Sequence, residues 1–391
     1  MPALPIPSVQ SQLHSQQLTD LVQEEIAKAG GWLNFSDFMQ LVLYAPSLGY
    51  YSGGLQKFGD VESGGGDFVT APEITPLFSQ ALAQQVHQVL KLTRGDVLEL
   101  GAGTGQLAID LLLALAELDQ IPPQYYILEV SSHLRSVQYE NLKSKLSSEL
   151  FGKVIWLDAL PKSFVGFMFG NEVLDAIPVH LVVKKNDALY ERGVTFDHTL
   201  QWQDQSLQTA EINNFVEKLQ LPNDYLTEVC PAGIALINSL ANALQRGAIV
   251  MLDYGFPANE YYHPQRNQGT LMCHYQHYAH SDPLINLGLQ DITAHVNFTA
   301  IAEAGLRQGL DLHGYCNQAQ FLMSCGLLDL LAKESPDNLE RYIPMTAAVQ
   351  KLLSPAEMGE LFKVIGFTKG LEEDSALALL GFVKGDKSHT L

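Results

Sequence analysis

From residue 96 onward, short apolar runs alternate with long apolar stripes at helical spacing. Residues 96–100 (D-V-L-E-L) suit a buried parallel strand, and 106–118 carry a helical stripe, with only the turn G-A-G-T-G between them. The alternation then repeats. Residues 125–130 and 154–157 read as strands on either side of a helix over 132–150, and 167–169 and 249–252 as two further buried strands, the last reached through a helix near 231–245. Strands alternating with helices predict an α/β fold with a doubly wound, mostly parallel sheet. Candidate strands at 310–315 and 376–383, after a helix near 299–308, complete a seven-stranded Rossmann-like sheet.

Two regions break this alternation. Leu18, Leu21, Val22 and Ile26 predict an amphipathic helix over 15–29, preceded by a loose arm and stopped by Gly30-Gly31. A second short helix starts with Ser36 as N-cap and ends before Pro46. Residues 48–76 are glycine-rich and carry Tyr50, Tyr51, Asp67 and Glu73. Thr75 as N-cap and Pro76 as first helical residue then open a helix with Leu82, Val86, Val89 and Leu90 on one face. Between 180 and 230 the runs Leu181-Val182-Val183, Leu189-Tyr190-Glu191 and Val194-Thr195-Phe196, with Asn186-Asp187 as a turn signal, predict an antiparallel β insertion. The expected organisation is a helical segment with a glycine-rich substrate loop over 1–75. A larger domain over 76–391 carries the insertion at 180–230 and a histidine- and aromatic-rich segment at 256–298.

Charge narrows the partners. The 391 residues include 23 basic and 43 acidic side chains, a formal net charge of −20, without a dense Lys/Arg run. This argues against nucleic acid and anionic membranes and favours small molecules or cationic protein segments. Cys230, Cys273, Cys316 and Cys325 form no C-x-x-C pair, which suits reduced thiols. The first 30 residues hold no arginine, one lysine (Lys28) and prolines at 2, 5 and 7, unlike a secretory signal or transit peptide. Charges interrupt every apolar run well short of a membrane span, so the expectation is a cytoplasmic protein.

Glycine spacing narrows the ligand. A dinucleotide fingerprint needs G-x-G-x-x-G, whereas Gly101, Gly103 and Gly105 are followed by Gln106. With Glu99 in the strand, E-L-G-A-G-T-G resembles the first motif of class I S-adenosylmethionine methyltransferases. Acids also stand at the ends of later strands, at Glu129 and Asp158, and the fourth strand runs into Asn171-Glu172-Val173-Leu174-Asp175; ligands of such sheets bind at those ends. Five further stretches follow a family order: GDFVTAPEI (66–74), NEVLDAIPV (171–179), LDYGF (252–256), GTLMCHYQH (269–277) and DITAHVNF (291–298). From about residue 15 to its C-terminus the chain resembles the MidA family, class I methyltransferases whose mitochondrial members act as protein arginine methyltransferases in respiratory complex I assembly. The resemblance implies S-adenosyl-L-methionine as cofactor. It places Glu99, Gly101, Gly103 and Gly105 at the methionine part, Glu129 on ribose, Asp158 and the Ala159 backbone near adenine, and Asn171 at the reacting end. It also implies a protein partner, an arginine-containing segment such as one from a respiratory-complex subunit. One position departs from the family pattern: Asn297 stands where an aspartate usually precedes the last phenylalanine.

An arginine acceptor is protonated at neutral pH and a poor nucleophile, so it calls for carboxylates that grip it and localise its charge. Glu172 and Asp175, three residues apart, would present both carboxyls to one place if they lay on a helical turn, and Glu73 could add a third from the glycine-rich loop. N-E-V-L is unlike the [DN]-P-P-[YF] of amino-methylating nucleic-acid enzymes. His274, His277 and His280 cannot share one helical face and are expected in a polar loop, not around a metal. Neither G-x-S-x-G nor H-E-x-x-H occurs, which removes two hydrolase templates. Two other readings stay open: an assembly factor that binds cofactor without catalysis, for which Asn297 is the motive, and a small-molecule methyltransferase with a closed pocket.

Overall fold

The computed structural model describes residues 4–53, 70–207, 209–371 and 378–391, so most of the glycine-rich loop lies outside the described residues. The chain divides into two units: Thr70–Leu174, Ala235–Pro257 and Val296–Leu391 form one, and Met1–Val69, Asp175–Ile234 and Ala258–His295 the other. The N-terminal helices therefore group in space with the insertion and the histidine-rich segment, a grouping different from the linear division at residue 75.

The first unit is built on an eight-stranded sheet. Its strands are β1 (Asp96–Leu100), β2 (Tyr125–Leu128), β3 (Val154–Leu157), β4 (Phe164–Asn171), β5 (Leu244–Phe256), β6 (Asp311–Asn317) and β7 (Phe362–Lys369), in the order β6-β7-β5-β4-β1-β2-β3. Val296–Asn297 adds a short parallel pairing at the end of β5. β7 runs antiparallel to both neighbours, and the pairings among β1 to β5 are parallel. β1 lies between β2 and β4, and Val97, Leu98, Phe167, Met168 and Phe169 on these strands are fully buried. Helices Pro76–Thr93 and Gln106–Glu117 close one core with Leu82, Val86, Val89, Leu111 and Leu112, each such side chain contributing about 1.5–3 kcal/mol on burial. Thr75 caps the first of these helices by accepting from the Leu77 amide, with Pro76 at its first position.

The last strand differs from expectation: β7 is Phe362–Lys369, and the described residues of the strand expected at 376–383, which are 378–383, form no strand. Leu380–Phe382 form a 3-10 turn whose amides are held by Gln85 and Gln88, and Phe382 packs where Gly314 and Gly366 leave room on β6 and β7. A short apolar run broken by glycine reads as a strand on periodicity alone, and tertiary packing decides otherwise.

In the second unit, helix Val9–Lys28 starts earlier than its apolar stripe, capped by Ser8, and helix Phe35–Tyr44 is capped by Asn34 instead of Ser36. The insertion supplies four strands of a five-stranded antiparallel sheet, and Leu33–Asn34 from the N-terminal segment supplies the fifth. Its first hairpin turns at Asn186-Asp187, both with positive φ, as a two-residue hairpin loop requires. The histidine-rich segment is also a hairpin rather than a loop: Met272–Tyr275 pairs with Tyr278–His280 across Gln276-His277, and with Asp291–Thr293. Among the described residues no helix is long and apolar enough to cross a membrane.

Candidate active site at the carboxyl ends of the strands

The turn after β1 has a backbone suited to glycine. Gly101, Gly103 and Gly105 have φ of 59°, 53° and 84°, the left-handed region that side chains disfavour. A Cβ on Gly101 would meet only the Val173 methyl, at 3.2 Å, and otherwise project into open space. The turn is fixed from outside. Gln138 Nε2 donates to the Gly103 carbonyl (3.0 Å) and Asn141 Nδ2 to the Thr104 carbonyl (2.9 Å). Thr104 Oγ1 donates to Glu73 Oε1 (3.1 Å), which brings Glu73 to the turn; burial raises the Glu73 pKa.

Two expected acids lie beside this turn. Glu99 is only 2% exposed and accepts from the Tyr125 hydroxyl at 2.6 Å. Burial pushes its pKa from 4.5 to about 8, against that hydrogen bond and with a smaller push from the Glu129 charge. Glu129 accepts from the Ser131 amide (2.9 Å) and from Gln138 Nε2 (3.0 Å), and burial raises its pKa as well. Between pH 4.5 and 8 the folded chain keeps the Glu99 proton while the unfolded chain has lost it. This stabilisation is full below pH 4.5 and falls by about 1.4 kcal/mol per pH unit through that window. Glu99→Gln should therefore flatten the decline of the ligand-free Tm between pH 5 and 8, with its largest gain over wild type at pH 8. Parallel Tm profiles would remove Glu99 as the titrating group.

Asp158 is 93% exposed in its side chain and pairs with Arg135 Nη1 at 2.6 Å, and Ala159 is exposed. Arg135 also donates from Nε to the Glu129 carbonyl (2.7 Å) and from Nη2 to the Leu157 carbonyl, tying the ends of β2 and β3 together. Nothing in the local sequence marks Arg135 for this task.

At the end of β4, Asn171 Nδ2 donates to Glu172 Oε1 (3.0 Å), and Asn171 Oδ1 is buried with no hydrogen-bond partner. Tyr254 Oη, from β5, donates to Glu172 Oε2 at 3.0 Å. The Glu172 backbone is left-handed (φ 54°), a conformation costing about 1–3 kcal/mol for a non-glycine residue, so the expected helical turn does not begin here. Its amide donates to the Leu252 carbonyl, and the next two amides, of Val173 and Leu174, both donate to Asp253 Oδ2. Asp253 and Tyr254 stand in the LDYGF stretch, and local spacing gives neither of them this role. Asp175 falls in the second unit, where it is buried and its carbonyl accepts from the Ala294 amide. There the Tyr51 hydroxyl donates to Asp291 (2.9 Å), its pKa raised by burial first and then by the charges of Asp291, Tyr44 and Asp175.

Asn297 caps helix Phe298–Arg307 by accepting from the Ala300 amide at 3.2 Å, a bond an aspartate would also make. Among the described residues no group of three or more His, Cys, Asp or Glu is placed to hold a metal ion.

Comparisons with known proteins agree with this geometry. Residues 79–316 match the family model described as "Putative S-adenosyl-L-methionine-dependent methyltransferase". A crystal structure of a Burkholderia thailandensis protein bound to S-adenosyl-homocysteine is 48% identical over 100% of both chains, with a TM-score of 0.95. Among curated relatives, protein arginine methyltransferase NDUFAF7 of Xenopus tropicalis is 27% identical over 86% of this chain and 82% of its own. Its human counterpart is 26% identical over 86% and 80%. The α/β fold with a mostly parallel sheet and an antiparallel insertion, expected from the sequence, is thus present, and the chain belongs to this family of S-adenosyl-L-methionine-dependent methyltransferases.

Proposed function

We propose that the chain transfers a methyl group to a protein side chain, an arginine guanidinium nitrogen, with Glu172 as the carboxylate that grips the acceptor. The observation that carries this reading is the fixation of Glu172. Asn171 Nδ2 donates to one carboxylate oxygen and Tyr254 Oη to the other, so the plane of the carboxylate is set from both sides, as a group that must align a planar, two-pronged partner requires. A guanidinium is such a partner, and gripping two of its nitrogens holds positive charge there and leaves the third freer to react. The names of the curated relatives and the net charge of −20 favour a cationic protein segment.

The residues around the glycine turn fit the cofactor. The turn leaves a space that a side chain on Gly101 would enter, Asn171 Oδ1 lacks a donor, and Glu99 and Glu129 offer carboxyl oxygens to a donor-rich group. We assign Glu99, Gly101, Gly103, Gly105, Glu129, Asp158, Ala159 and Asn171 to holding it. When bound, S-adenosyl-L-methionine supplies a methyl carbon activated by the adjoining sulfonium. The task of the protein is then to hold the acceptor nitrogen in line and keep it oriented. Glu73 joins the acceptor side as a second acid, and Asp175 enters only through its place three residues after Glu172. Asn297 fills a capping role that an aspartate would also fill, and a non-catalytic assembly factor stands as the second reading. Incubating the protein with methyl-labelled cofactor and a cell lysate should label a protein band, and mass spectrometry of its peptides should show methylarginine. Label confined to small molecules would sink the protein-acceptor reading.

A further inference from the structure

Resting on the role proposed for Glu172, we infer that Asp253 is a positioning residue that sets the Glu172 carboxylate for methyl transfer. In the β4–β5 register Leu252 lies opposite Asn171, so Asp253 follows beside the point where the chain leaves β4. The Asp253 side chain is fully buried. Its Oδ2 accepts the Val173 and Leu174 amides at 3.1 and 2.7 Å, and its Oδ1 accepts the Tyr254 amide at 2.9 Å. One carboxylate therefore fixes both groups that aim Glu172. The first is the turn whose left-handed residue is Glu172 itself, and the second is the backbone of the tyrosine whose hydroxyl reaches Glu172 Oε2. Only a carboxylate can serve both sides. An asparagine has one accepting oxygen, and its amide would face a backbone N–H with another N–H on the Val173–Leu174 side or on the Tyr254 side. The turn would then lose its hold, and a small displacement of an aligned group is enough to slow a reaction without loosening the cofactor.

The test compares Asp253→Asn, Glu172→Gln and the double variant. Initial rates of labelled methyl transfer into lysate protein, measured against S-adenosyl-L-methionine concentration, give apparent kcat and KM, and calorimetry gives the Kd of S-adenosyl-homocysteine. Asp253→Asn should lower kcat on the order of 10- to 100-fold while KM and Kd stay within about threefold. The double variant should be no slower than Glu172→Gln alone, because both lesions act through one carboxylate. If Asp253→Asn does not fold, Tyr254→Phe tests the other arm: it removes the hydroxyl alone, should lower kcat several-fold, and should add nothing to Glu172→Gln. Full kcat in the variant tested, losses that multiply with those of Glu172→Gln, or a Kd that rises in step with the loss of kcat would overturn the inference while leaving the Glu172 reading intact. Full activity in Glu172→Gln would overturn both.

Discussion

Glu172→Gln should bind S-adenosyl-homocysteine as wild type does and transfer methyl groups on the order of 10²- to 10³-fold more slowly, the usual scale for removing one preorganised electrostatic contact. The substitution keeps the shape of the side chain, with its oxygen accepting from Asn171 and its amide donating to the Tyr254 hydroxyl, which can turn to accept, but it removes the charge and one of the two acceptors. A companion variant separates chemistry from strain. Glu172 holds φ at 54°, which glycine adopts without penalty, so Glu172→Gly should be equally inactive yet at least as stable, by up to about 1 kcal/mol. A gain in Tm together with lost turnover is what a strained functional residue predicts; a fall in Tm would mean that the side-chain hydrogen bonds of Glu172 outweigh its backbone strain. Unchanged turnover in Glu172→Gln would remove Glu172 from the mechanism.

The alternation of strand and helix from Asp96 to Phe256 is legible in the sequence because these strands are buried and their helices amphipathic, so composition and period agree. Legibility fails where partners are distant. Tyr225–Val229 contains Glu228, an unpromising residue for a buried strand. It is buried because the Thr270 and Leu271 amides and the Thr270 and Tyr261 hydroxyls all reach its carboxylate from beyond the sheet in sequence. Gly269 has φ of 75°, and a Cβ there would come within 2.3 Å of Glu228 Oε1, so a motif that looked chemical also has a packing role. Arg135 and Asp253 belong to the same class. Each joins ends of two strands brought together by the sheet, and no local period announces either. At Glu172 and Glu73 the sequence named the residues but not their settings. The left-handed backbone of the first and the Thr104 bond of the second arise from register and turn geometry.

Gly103→Val should raise the Kd of S-adenosyl-homocysteine by at least about 100-fold, roughly 2.8 kcal/mol. At φ 53° a β-branched residue is strained, and the turn cannot relax freely because Gln138 holds the Gly103 carbonyl and Asn141 the next one. The strain alone costs about 1–3 kcal/mol, and the isopropyl group adds bulk at the turn. The ligand-free Tm should fall only modestly, since helices Pro76–Thr93 and Gln106–Glu117 and the central strands keep their core. The rise in Tm that S-adenosyl-homocysteine gives wild type, which follows RT ln(1 + [L]/Kd), should disappear. The same variant separates enzyme from assembly factor. A methyltransferase loses its labelling of lysate protein together with cofactor binding, whereas a chain acting only by holding a partner keeps that partner in a pull-down and its function in cells. Wild-type affinity for S-adenosyl-homocysteine in Gly103→Val would move the cofactor away from this turn and take the roles given to Gly101 and Gly105 with it.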